Sequence, residues 1–166
     1  MGLFGIPTRK EREFRAQQIN NCRRIFTESM KIMMSTDNIE TFMSRYRTAR
    51  EAIYEAGRVA GERSKCMNGV SPKEALTILD RDLPQVLTPC IDRFMQKQTI
   101  RISNLSRGKI SKAKGLYLLI SEYEDEMPSE CIEHWKWLVD KLITKIERLE
   151  NMNKTEGRKA SLSPKD

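Results

Sequence analysis

Apolar residues between Ser35 and Lys65 recur at alternating steps of three and four: Ile39, Phe42, Tyr46, Ala49, Ile53, Ala56 and Ala60. That spacing predicts a helix presenting a narrow seam to a second helix. Asp37, with Glu40 three residues on, reads as a capping box at its start. The segment before it supplies the partner. Ile19, Cys22, Phe26, Ser29 and Met33 keep the same rhythm, with Ile25 and Met30 widening the stripe. Thr8 and Glu11 form a second capping box, so this first helix should run from about Arg9 to Met34. Only about three residues separate the two rods, which should therefore fold back antiparallel as a hairpin over residues 8–65.

Beyond the hairpin the punctuation is clear. Asn68-Gly69 is a turn signal. Ser71-Pro72-Lys73-Glu74 combines a capping serine, a proline at the first helical position and a glutamate reaching back to the cap. The helix it opens, with Leu76, Leu79 and Leu83 inward, is expected to end or kink at Pro84. Thr88-Pro89 repeats the device and opens a longer helix with Ile91, Phe94 or Met95, Ile102 and Leu105 inward. A further helix is expected over residues 111–127, since the apolar run GLYLLIS has no second strand to pair with. Ser129 should cap the last helix, whose seam is Ile132, Trp135, Val139, Leu142, Ile146 and Leu149. The fold class is thus all-α: a long antiparallel hairpin packed with three or four further helices into an elongated bundle. It is expected as one domain over residues 1–152 (second helical half 71–152), with a disordered tail at 153–166.

A resemblance accompanies this reading at residues 25–46. Thr36, Thr41, Phe42, Ser44, Arg45 and Tyr46 carry the pattern Thr-x-x-x-x-Thr-Phe-x-Ser-Arg-Tyr. It resembles a helical hairpin that recurs in uncharacterised proteins of Gram-positive bacteria and their mobile elements. The CIDRF stretch at residues 90–94, followed by a basic turn, looks like a second shared block, so the similarity covers about residues 17–125. The chain departs from the pattern at Met43, where a second phenylalanine is usual, and in the turn LSRGKISK. The resemblance implies the hairpin and nominates no catalytic residue.

Composition narrows the function classes. Of the 166 residues, 39% are hydrophobic and 32% charged, which suits a soluble helical protein. No apolar run approaches the roughly 20 residues of a membrane span. The opening MGLFGIPTRK matches neither a signal peptide nor the myristoylation pattern, Ile6 standing where Ser or Thr is needed. Cys22, Cys66, Cys90 and Cys131 are scattered, with no CxxC pair, and read as reduced thiols of a cytoplasmic protein. Cys131 and His134 could supply half of a metal site, but closed zinc sites take four ligands. The single histidine has no nucleophile turn beside it, and no glycine loop cradles phosphate. No enzyme activity, cofactor or metal is therefore expected.

Charge adds one feature. The net charge is +7, and residues 101–115 hold Arg101, Arg107, Lys109, Lys112 and Lys114 with no acid. The next twenty residues reverse this, with Glu122, Glu124, Asp125, Glu126, Glu130 and Glu133 and no base. The basic segment could neutralise phosphates, as could the arginines of the first helix, although aromatics for base stacking are missing there. Pairing with the acidic segment would remove that role. Met30, Met33, Met34 and Met43 gather at the hairpin tip as an adaptable docking surface or as plain core. The leading expectation is a non-enzymatic protein–protein interaction module that binds another protein, or itself, through amphipathic helix faces. The alternative is a nucleic-acid-binding accessory protein of a phage or mobile element. Binding at a membrane surface through MGLFGI ranks behind both.

Overall fold

In the computed structural model, residues 5–161 are described. They form five helices: α1 (Arg9–Ser35), α2 (Ile39–Ala60), α3 (Pro72–Ser103), α4 (Lys109–Glu122) and α5 (Ser129–Ser161). The fold is all-α, and no helix among the described residues is long and apolar enough to cross a membrane. The chain divides into two compact units, one running to Cys90 and the other starting at Ile91. The boundary falls inside α3, which runs unbroken through it.

In the first unit, α1 and α2 pack along one another as the hairpin. The Thr8–Glu11 box is formed: Glu11 N–H donates to Thr8 Oγ1 (3.2 Å) and Thr8 N–H to Glu11 Oε2 (2.7 Å). Phe42, Met43, Ile53, Ala49 and Ala56 are wholly buried, and Met33 and Ile39 nearly so. Each large side chain in that seam contributes roughly 1.5–3 kcal/mol of transfer free energy. The cap of α2 is Asn38, not Asp37. Asn38 sits in extended geometry, and its Oδ1 accepts from Thr41 N–H at 2.9 Å. The helix therefore starts one residue later than the expected box. It also stops at Ala60 rather than Lys65, because Gly61 takes φ +93°, a conformation that ends the ladder at little cost only for glycine. Asn68 (φ 54°) and Gly69 (φ 89°) make a tight turn closed by Met67 and Val70, which exchange backbone hydrogen bonds at 3.0 and 3.3 Å.

α3 opens on the expected box, Glu74 N–H donating to Ser71 Oγ (3.2 Å) and Ser71 N–H to Glu74 Oε2 (3.4 Å). Its first turn lies against α2, where a Cβ added to Gly57 would stand 3.3 Å from Pro72 Cβ. Neither Pro84 nor Pro89 breaks it, so the two expected helices are one of 32 residues. An interior proline costs about 3 kcal/mol in a free helix. Here Leu79, Leu83, Leu87, Cys90, Ile91 and Phe94 are buried on one stripe that runs through both prolines, and their burial outweighs that cost.

In the second unit α4 and α5 pack together. Trp135, Cys131 and Val139 are fully buried, and Phe94 from α3 meets the Trp135 ring edge-on with centroids 5.6 Å apart. α4 starts at Lys109 behind Gly108 (φ 72°) and ends at Glu122, short of the expected Met127. Tyr123 and Met127, both buried, close that stretch as a turn, Met127 N–H donating to the Tyr123 carbonyl at 2.9 Å. Met127 also precedes Pro128, which disfavours helical geometry. Leu105, expected inward, is exposed. α5 continues to Ser161 where a disordered tail was expected from Asn153, yet every residue from Asn151 to Lys159 is exposed. Residues 162–166 of that expected tail lie outside the described residues.

Candidate interaction surfaces

The methionine group divides by burial. Met33 and Met43 are core, Met30 is half-buried and Met34 is exposed. Facing α1 and α3 side chains show why: Phe26, Met30 and Met33 surround a small recess with Ile78, Leu79, Leu83 and Val86. The tip is a packed joint of the first unit, in which Met34 alone of the four is solvent-facing.

Nearby, sequence reasoning missed a polar cluster. Tyr46 on α2 donates its hydroxyl to Asp80 Oδ1 on α3 at 2.5 Å, and Arg50 forms an ion pair with the same carboxylate. The Arg50 guanidinium also stands 5.7 and 5.8 Å from the ring centroids of Tyr46 and Tyr54. Burial raises the Tyr46 phenol above its ordinary value, and Asp80 adds to it. Burial also pushes the Asp80 carboxyl up, but the hydrogen bonds from Arg50 and Tyr46 outweigh it and hold that carboxyl below the usual range. The cluster clamps α2 to α3. Its i, i+4, i+8 spacing on α2 was visible in the sequence; its acid, 30 residues on, was not.

The basic segment is largely exposed. Arg101, Arg107, Lys112 and Lys114 are exposed and Lys109 is half-buried. Among the described residues no ion pair joins any of the five to Glu122, Glu124, Asp125 or Glu126; Glu124 lies 4.0 Å from Lys136 instead. Lys109 and Lys112 lie in the first turn of α4, whose Gly108 cap offers no side-chain acceptor to the free N–H groups. Cations and helix dipole are both positive there, so the field favours an anion.

Apolar side chains are also exposed elsewhere in the second unit. Ile100 on α3 is 64% exposed and Trp137 on α5 is 53% exposed. Thr99 and Leu138 line two adjoining recesses, one with Ile100 and Met95, the other with Trp137, Lys141, Lys145 and Arg148. Together they form one open groove between α3 and α5, lined by Ile100 and Leu138, with Asp92 and Asp140 beside the three cations at its rim. Lys141 Nζ stands 4.3 Å from the Trp137 ring centroid, and His134 stacks on that ring at 5.9 Å. His134 also hydrogen-bonds Asp92 (2.7 Å), while Cys131 is buried. Among the described residues no group of three or more His, Cys, Asp and Glu could hold a metal ion.

No family model, curated protein or solved structure matches the chain.

Proposed function

We propose that the chain is a non-enzymatic, cytoplasmic interaction module that binds another protein through an exposed helix face, with neither cofactor nor metal. The groove of Ile100, Leu138 and Trp137 carries this reading. Exposed Trp137 and Ile100, with half-buried Leu138 between charged side chains, have the composition of an interface centre with a polar rim. The two seams that first suggested docking are largely consumed inside the units, which shifts the docking face to α3 and α5 of the second unit. Capture from the cells in which the chain occurs tests it. Immobilised wild-type protein should retain a defined partner that Ile100→Asp and Trp137→Ala lose. Retention of the same proteins by both variants would sink the reading.

A second reading is favoured by the unpaired cations around the α4 N-terminus: phosphate contact with nucleic acid, as in an accessory protein of a mobile element. Arg101, Arg107, Lys109, Lys112 and Lys114 would then neutralise phosphates, and log affinity for duplex or single strands should fall linearly with log salt. An affinity flat across a salt series would exclude it.

A further inference from the structure

α5 is longer than anything in its own unit that could cover it. Its 33 residues run on the order of 50 Å, whereas the 14 residues of α4 reach about 21 Å. Early along α5, Leu138 and Leu142 lie beside Thr99 and Ser103 of α3. Ser103 at the end of α3 and Lys109 at the start of α4 share a recess with Lys145 and Leu149, whereas the recess that Met152 and Glu156 share farther along is lined by α5 alone. Lys145, Leu149, Met152 and Glu156 follow on that side at steps of four, three and four, all exposed. Leu149 is 51% and Met152 53% exposed, although Leu149 ends the seam that begins at Ile132.

The stripe has a direction. A cation stands at one end, an acid at the other, and two apolar side chains between them. Among the described residues neither Lys145 nor Glu156 has an ion pair within its own chain. Turned end for end, the stripe complements itself: Leu149 meets Met152 of the second copy, and Lys145 meets Glu156, each contact occurring twice. Parallel pairing in register would instead set Lys145 against Lys145 and Glu156 against Glu156. An isolated helix of about 12–15 residues is marginal in water. This end of α5 also carries Asn151, Asn153, Thr155 and Gly157, all weak helix formers, so a partner helix would stabilise it.

We propose that two copies of the chain associate antiparallel through this stripe, about a two-fold axis between Leu149 and Met152. The proposal rests on the reading of the chain as an interaction module and names a second copy as one of its partners. Four apolar side chains and two ion pairs make a small interface, so the association is weak, with Kd roughly 10–500 µM.

Sedimentation equilibrium of the full chain tests it. Wild-type protein should form a dimer within that range, and Met152→Glu should abolish it. Lys145→Glu and Glu156→Lys should each weaken association about five- to tenfold, because each reversal sets two like-charge pairs across the axis. An equimolar mixture of these two variants should associate as tightly as wild type, since every contact is again opposite in sign. Residues 145 and 156 are eleven apart on one helix and cannot meet within a chain, so the rescue reads contact between copies. Wild-type protein that stays monomeric to about 1 mM would overturn the proposal. So would a dimer indifferent to these substitutions, or a mixture no tighter than either variant alone. A monomer that still captures a partner through Ile100 and Trp137 would overturn self-association alone. A dimer that captures nothing would overturn the groove reading alone.

Discussion

Asp80 is the residue on which α2 and α3 are joined by charge, and its chemistry has a readable pH signature. Its folded-state carboxyl titrates below the ordinary value of about 3.9. Its contribution to stability is therefore complete above that value and is lost as pH falls through the lowered one. Asp80→Asn should cost about 1 kcal/mol at pH 7, a modest figure because the carboxylate is half-exposed. In urea titrations the gap between wild type and variant should close as the pH is taken from 5 to below 3 (roughly the interval set by that carboxyl). A second residue-scale expectation concerns thiols. Cys22, Cys90 and Cys131 are buried, whereas Cys66 is partly exposed in the loop before α3. Burial also raises the Cys22 thiol, with Glu55 adding to it. In native protein a thiol reagent should modify Cys66 rapidly and the other three only on unfolding.

At the scale of the element, α3 shows where the sequence was readable and where a rule misled. The buried stripe through Leu79, Leu83, Leu87 and Ile91 was in plain view, with its helical spacing unbroken across Pro84 and Pro89. Reading each proline as a terminus gave local propensity priority over a periodicity that tertiary burial enforces. The caps at Thr8 and Ser71 were legible because each is written in four consecutive residues. The end of α5 was not, because helix beyond Asn151 rests on no buried residue and leaves no hydrophobic pattern. The groove was opaque for a different reason: it needs Ile100 and Trp137 on one surface, which only the packing of α3 on α5 provides. Pro89 is itself exposed and packs against little. Pro89→Ala should restore a backbone donor and stabilise the protein by about 1–2 kcal/mol, after allowing for the looser unfolded chain. Thermal unfolding would show this as a raised Tm, and a lowered one would mean that the ring holds α3 in its observed path.

For the whole molecule, each unit has its own core, but α3 supplies side chains to both. Leu79, Leu83 and Leu87 belong to the first and Ile91, Phe94 and Met95 to the second. Unravelling either core removes support from a helix whose other half the second core needs. Urea unfolding should therefore be a single transition, with tryptophan emission and far-UV dichroism giving the same midpoint. Separate midpoints would show that the shared helix divides at Cys90 into independently melting halves.

Trp135 and Trp137 are the chain's only tryptophans, two residues apart on α5, yet one is sealed in the core and the other stands in water beside Lys141. Light absorbed by the two indoles is thus divided between an internal standard shielded from the groove and an external antenna. Anything that settles on the groove will dim or shift the second and spare the first, so the molecule carries its own binding gauge without a dye.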